Sequence, residues 1–307
     1  MNTKYFLRKL LLFAFIFACL DLLSGFIFRY LAKNAKGGDT ARNEYIANKM
    51  DAPILIFGSS RAVHHYVPQY FRNRFGLDCY NCGQDGMGII LFYARYKMIT
   101  ERYIPKIIIY DVLSGFDLEK GDNYSYLGWL KPYYEKQGVD SIFWNIAPNE
   151  RYKMYSQMYR YNGKILQMLA DNILIMREET DGYRPAYGTM DYEPSRLSDA
   201  VSVQFDSVKL YYWEKFIQEC NEKGTKLFFT LSPFYGGSNA VDTTYSAIYD
   251  LSKKYNIPVI NYFNDTDIVN QKDYFMDSFH MNYQGAEVFS KKISEELYSI
   301  ILHNNIK

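Results

Sequence analysis

Five short apolar runs, bounded by turn-forming residues and separated by stretches with helical periodicity, leave this chain very few folds to choose from. The runs are PILIFGSS (53–60), LDCYNC (77–82), PKIIIYDVL (105–113), TKLFFTLSP (225–233) and IPVINYF (257–263). Between and after them lie helix-compatible segments at 61–75, 91–103, 208–224, 243–256 and 285–302, the third with Gly224 placed to end it. Apolar β-branched runs of this length read as buried strands. Strands alternating with helices close into a parallel sheet with helices on both faces, so the expectation is an α/β fold.

The alternation fails between about 116 and 206, a stretch rich in Tyr and without a clear strand. It is expected to be an insertion over the carboxyl ends of the strands, where open α/β sheets place their sites. With 18% aromatic residues and 31 tyrosines the chain is built to fold, and its tyrosines suit either packing or stacking on sugar rings. The 35 basic residues are balanced by 34 acidic ones. A net charge of +1 gives no broad basic surface, which argues against nucleic acid as a partner.

From Leu10 to Phe28 the sequence LLLFAFIFACLDLLSGFIF is apolar apart from Asp21 and a few small residues, and about 20 such residues cross a bilayer. A single transmembrane helix is expected. Cys19 after Ile16, Phe17 and Ala18 would fit a lipoprotein signal, but the apolar run continues past it, unlike a cleaved signal. Lys4, Arg8 and Lys9 precede the segment while Arg29, Lys33 and Lys36 follow it, so the positive-inside count is a near tie. The short basic N-terminal tail of a signal anchor places the globular domain outside the cytoplasm, attached to the inner-membrane lipid. The expected organisation is an anchor at 1–32, a linker or frayed helix at 33–51, and an α/β domain at 52–307 with the insertion at about 116–206.

Cys79 and Cys82 form a C-x-x-C, yet no second pair or histidine cluster accompanies it, so no metal site is expected and the two thiols read as small packing residues. Gly58-Ser59-Ser60-Arg61 ends the first strand, where a serine hydroxyl is exposed beside the N–H groups of the next helix. Near the other end, DSFHMNYQG puts Asp277 three residues before His280. A serine nucleophile needs a base in hydrogen-bond reach, and the base needs a third group to hold its tautomer. Of the four histidines, His303 lies in the tail, and His64 and His65 follow Ser60 too closely to serve as its base, which leaves them surface or packing roles. His280 remains, with Asp277 to orient it.

Taken in order, FGSSR, YNCGQDGMG and DSFHMNYQGAEVFS resemble three blocks of the SGNH (GDSL-like) hydrolase family, over a match from about Pro53 to the end apart from the insertion. The resemblance implies a flavodoxin-like sheet and ester or acyl chemistry without a cofactor. It implies a triad of Ser60, His280 and Asp277, and an oxyanion hole drawing on Ser60 and Gly86. The third block departs from the family pattern: after IIIYDVL an Asn is usual, whereas here the sequence runs SGFD with Ser114 near that place, the candidate to replace it as a donor in the oxyanion hole. Losing one oxyanion donor costs ~2.7–4 kcal/mol of transition-state stabilisation.

With its anchor and altered blocks, the chain is similar to the branch that moves acyl groups on cell-envelope polymers, including D-alanyl transfer proteins and polysaccharide O-acetyltransferases. That similarity implies an acyl donor, a carbohydrate acceptor held by the tyrosine-rich insertion, and a membrane-bound O-acyltransferase as a candidate partner. The competing expectation is a non-catalytic envelope scaffold or glycan-binding protein that keeps the fold without the activity.

Overall fold

The computed structural model describes residues 3–173, 179–193 and 203–305, so that parts of the expected insertion, 174–178 and 194–202, lie outside the described residues. The chain divides into two compact units. One comprises Met1–Lys49 and Leu127–Arg177, the other Met50–Tyr126 and Glu178–Lys307.

The larger unit holds a sheet of five parallel strands, β1 (Ile54–Gly58), β2 (Cys79–Asn81), β3 (Ile107–Asp111), β4 (Lys226–Leu231) and β5 (Val259–Asn261), in the order β2-β1-β3-β4-β5. Every residue of β1 and β3 is buried, as expected of strands covered on both faces. Side chains alternate across the sheet. Ile54 and Ile56 join Ile107 and Ile109 in a cluster with Phe289, Ile293 and Leu297 of the C-terminal helix Tyr283–Asn305. On the other face Phe57 stacks on Phe92 at 5.7 Å, and Tyr110 packs on Trp213 at 4.5 Å, a layer of aromatic rings contributed by two further helices.

Gly58 sits opposite Asp111 in the β1–β3 register with φ +137°, and a Cβ there would come within 2.5 Å of the Asp111 carbonyl oxygen. Only glycine fits this turn. It releases the chain from β1 directly into the helix Ser60–His65, which puts Ser60 at the carboxyl edge of the sheet between β1 and β3. In this order successive strands are added to one side of β1 and then, from β3, to the other, and the crevice at that switch between β1 and β3 is where such sheets bind ligands.

The smaller unit is organised by α1, a single helix from Thr3 to Lys33 that is long and apolar enough to cross a membrane. The segment expected to be a linker or frayed helix holds a second helix, α2 (Gly38–Asn48), with Ile46 and Ala47 buried. The tyrosine-rich stretch is shared between the two units. Phe116–Tyr126 and the described residues from Glu179 stay with the α/β unit, whereas short helices such as Gln157–Tyr161 and Ile165–Ile173 pack on α1 and α2. Ala32, Tyr161 and Met168 form a small core there with Phe28, Leu31 and Ile165. The cause is chemical: Asp21, Gly25 and Phe28 of α1 offer a carboxylate, a gap and a ring for those helices to dock on.

Candidate active site

Ser60 is the first residue of the helix Ser60–His65, so its own N–H lies among the four that have no partner inside that helix. The turn before the C-terminal helix brings the other end of the chain to it. His280 Nε2 lies 2.8 Å from Ser60 Oγ, and His280 Nδ1 lies 2.9 and 3.0 Å from the two carboxylate oxygens of Asp277. Asp277 also accepts the N–H groups of Phe279 and His280, each at 2.8 Å. Partial burial pushes the Asp277 carboxyl up, but the His280 ring and these two N–H groups outweigh it and hold the carboxyl below its ordinary value. With Nδ1–H given to a charged carboxylate, Nε2 is free to accept the serine proton.

Gly86 lies on the wall of the same cavity with φ +68°, and a Cβ there would meet nothing, so backbone conformation rather than space calls for glycine. Ser114 is there too, buried at the start of the turn after β3. Its hydroxyl donates to Glu119 Oε1 at 2.6 Å, so the hydrogen expected to face an oxyanion is already committed. That turn is rigidly held. Asp117 accepts the N–H of Leu113 at 2.8 Å and the hydroxyl of Tyr110 at 2.6 Å, and the buried Lys209 donates to the carbonyl of Glu119 at 2.6 Å. Burial pushes the Asp117 carboxyl up to about 7 despite these donors.

The cavity beside the triad measures about 750 Å³. Its walls come largely from the segments after β3 and β4, with Leu113, Phe116, Phe234, Val241, Tyr245, Phe263, Met276 and Phe279 supplying an apolar lining. Ser60, His280 and Asp277 are gathered with polar Asp85 and Glu119. An apolar cavity with a few convergent polar groups is the usual form of a small-molecule site. Such an arrangement can deprotonate Ser60, bind an acyl group and stabilise an oxyanion on backbone N–H groups.

Behind the triad lies a polar network that the sequence reading does not include. Asp111 at the end of β3 accepts from Tyr66 Oη at 2.9 Å, from Ser232 N at 2.9 Å and from Ser232 Oγ at 3.0 Å. Arg61, buried directly after Ser60, donates through Nε to Ser232 Oγ at 2.9 Å and stands 3.8 Å from Asp111 Oδ2. His65 Nε2 accepts the N–H of Met281 at 2.9 Å, so its ring hydrogen sits on Nδ1 and is donated to Ser232 Oγ at 3.1 Å. Full burial, and then the neighbouring Arg61 charge, lower the His65 pKa far below the ordinary histidine value, which keeps the ring neutral. His64 instead lines the cavity, with Nδ1 2.8 Å from the Arg184 carbonyl and Nε2 3.4 Å from Asp85. Both thiols of the C-x-x-C are buried, Cys82 against Met50 at 3.6 Å.

The sequence matches no protein-family model and no curated protein. Solved structures do resemble it. A psychrotrophic esterase from Pseudoalteromonas is 11% identical, covering 81% of this chain and 97% of its own at a TM-score of 0.41. An acetyl xylan esterase is 10% identical, with coverages of 81% and 99% and a TM-score of 0.41. A GDSL-like lipase from Bacteroides thetaiotaomicron is 12% identical, with coverages of 80% and 88% and a TM-score of 0.37. The α/β fold itself rests on the five parallel strands in the order β2-β1-β3-β4-β5. At these identities and TM-scores the likenesses say nothing of this chain's chemistry, which rests on its own residues.

Proposed function

We propose that this chain is a serine esterase or acyltransferase, held at the membrane by α1 with its α/β unit outside the cytoplasm, that acts on acyl groups of cell-envelope polysaccharide through an acyl-serine. The observation that carries the chemistry is the 2.8 Å approach of His280 Nε2 to Ser60 Oγ with Asp277 on the opposite ring nitrogen. As Ser60 Oγ bonds to the acyl carbon, its proton passes to His280 Nε2, and the imidazolium is stabilised by Asp277. The N–H groups of Ser60 and Gly86 face the developing oxyanion. Collapse breaks the bond to the leaving alcohol, which takes the proton from Nε2.

A second hydroxyl then attacks the acyl-serine while His280 removes its proton, and Ser60 Oγ leaves with that proton restored. Water makes the protein an esterase; a sugar hydroxyl makes it a transferase. Positioning of a bound acceptor can contribute ~7–11 kcal/mol in the best cases, which favours the sugar when it is held in place. The apolar cavity supports an acyl chain longer than acetyl on the Ser60 side.

The test combines a fluorophosphonate probe with a transfer assay on the purified full chain in detergent. Labelling lost in Ser60→Ala, with acylated oligosaccharide formed from an acyl ester, is expected. Hydrolysis indifferent to added sugar would remove the transferase reading and leave the esterase. A folded protein that neither labels nor turns over any ester would favour the scaffold.

A further inference from the structure

One face of the C-terminal half of α1 is covered by residues 156–173. The Asp21 carboxylate accepts the hydroxyl of Ser156 at 2.6 Å and the N–H groups of Gln157 at 2.8 Å and Met158 at 2.9 Å. One turn further on, a Cβ on Gly25 would approach Gln157 Cβ to 2.5 Å, so the two backbones are in close contact. Beyond that, Arg29 donates to Gln157 Oε1 at 2.7 Å, the ring of Phe28 lies 5.4 Å from that of Tyr161, and Asn172 Nδ2 donates to the Leu31 carbonyl at 3.0 Å.

On the same turns of α1, Leu22, Leu23, Phe26 and Ile27 are between 45% and 66% exposed. A membrane that shelters these four side chains has to extend along α1 at least to Ile27. The apolar run Leu10–Phe28 is ~28 Å long at 1.5 Å per residue, which matches a hydrocarbon layer of about 30 Å. Asp21 then lies ~10 Å below the boundary at Phe28, and the chain bound to it lies at the same depth.

The groups at that depth suit it. Backbone in hydrocarbon must have its polar groups satisfied internally, and Asp21 takes the first N–H groups of the Gln157–Tyr161 helix. Tyr155 is 80% exposed and Met158 45% exposed, an aromatic ring and a thioether that bring no charge into the lipid. Nearer the boundary, the helix Ile165–Ile173 buries Met168 against Ala32 and Tyr161 while Leu166, Leu169 and Ile173 remain exposed on another side. Those three recur at a spacing that places them together on one face, as on helices that lie in a membrane interface.

We propose that the turn Tyr155–Met158 is embedded in the lipid hydrocarbon beside α1, and that Leu166, Leu169 and Ile173 contact acyl chains at the interface. The membrane unit is therefore α1 with a re-entrant turn locked onto it by Asp21. This rests on α1 spanning the membrane. It also makes α1 a permanent part of the fold, since a cleaved segment would abandon every contact from Asp21 to Ala32.

The experiment uses the full chain in phosphatidylcholine–phosphatidylglycerol vesicles, in a Cys19→Ser background because the other three cysteines are buried. Single variants Tyr155→Cys, Met158→Cys and Leu166→Cys carry bimane, with Lys253→Cys as an exposed control. Tyr155 and Leu166 are exposed enough to be replaced without disturbing packing, should Met158→Cys fail to fold. Doxyl-labelled lipid should quench all three sites at least threefold more than the control, and aqueous iodide should quench them less. Iodide quenching equal to the control, in protein that stays with the vesicles, would overturn the embedded turn and leave the anchor standing. An intact mass beginning after α1 in protein isolated from cells would overturn both.

Discussion

His65 accepts, through Nε2, the backbone N–H of Met281, the residue that follows the candidate base His280. The histidine set aside in the sequence as a packing residue thus holds the backbone on which the triad histidine stands, and Ser232 and Asp111 hold it in turn. His65→Ala should lower kcat by roughly 10–100-fold with KM little changed, since a buried N–H left without its acceptor costs ~1–3 kcal/mol. His65→Gln, which keeps an acceptor, should recover part of the loss. Ester turnover by the two variants at matched folding checks it.

The same residue gives the fold an acid sensitivity. Burial depresses the folded-state pKa of His65, so between that value and ~6.5 the unfolded chain binds the extra proton and stability falls as pH falls. The contribution is fully present above ~6.5 and is lost at up to ~1.4 kcal/mol per pH unit below it. Urea unfolding of wild type and His65→Gln from pH 7 to pH 5 should show a smaller slope in the variant. Asp277, whose carboxyl is held low, contributes in the same sense but in stronger acid, its stabilisation being lost as pH falls below the ordinary aspartate value of ~3.9.

Arg61 and Asp111 form a buried charged pair behind Ser60. Arg61→Met leaves the Asp111 carboxylate with only neutral donors and should destabilise the protein by ~3–5 kcal/mol. The urea midpoint should drop without a change in m-value. An unchanged midpoint would mean the carboxylate is already protonated.

Ser114 gives its hydroxyl hydrogen to Glu119. Ser114→Ala should therefore reduce kcat less than ~10-fold, well short of the ~10²–10³ that follows loss of a true oxyanion donor. A larger fall would return the hydroxyl to the oxyanion hole.

The apolar cavity makes chain length a measurable specificity. Each methylene buried from acetyl to octanoyl is worth ~0.8 kcal/mol, so kcat/KM for p-nitrophenyl esters should rise about fourfold per carbon until the cavity is full. Val241→Trp, which fills part of that lining, should flatten the series while leaving acetyl ester turnover close to wild type.

Much of the α/β unit is legible in the sequence because apolar β-branched runs such as Ile107–Ile109 admit little besides a buried strand. The 2.8 Å contact of Ser60 with His280 was foreshadowed by two short blocks whose local spacing carries the chemistry. The network of Arg61, His65, Asp111 and Ser232 was not. Its members come from three separate segments and meet only when β1, β3 and β4 are laid side by side, although an acid ending the apolar strand β3 was a usable signal. Asp21 was another such signal. An ionisable side chain inside an apolar run calls for a partner, but nothing local reveals that it lies at Ser156–Met158.

That separation has a consequence for biogenesis. Asp21 is made 135–137 residues before the groups that bind it. At ~5–20 residues per second, α1 leaves the ribosome roughly 7–27 s before its carboxylate can be capped. On the proposed reading of α1 as a membrane span, the helix would in that interval be sheltered by the insertion machinery or rest with Asp21 at the water boundary, sinking to its final depth only when the later helices arrive. Synthesis of the middle of the chain would then be the step that completes membrane integration of its beginning.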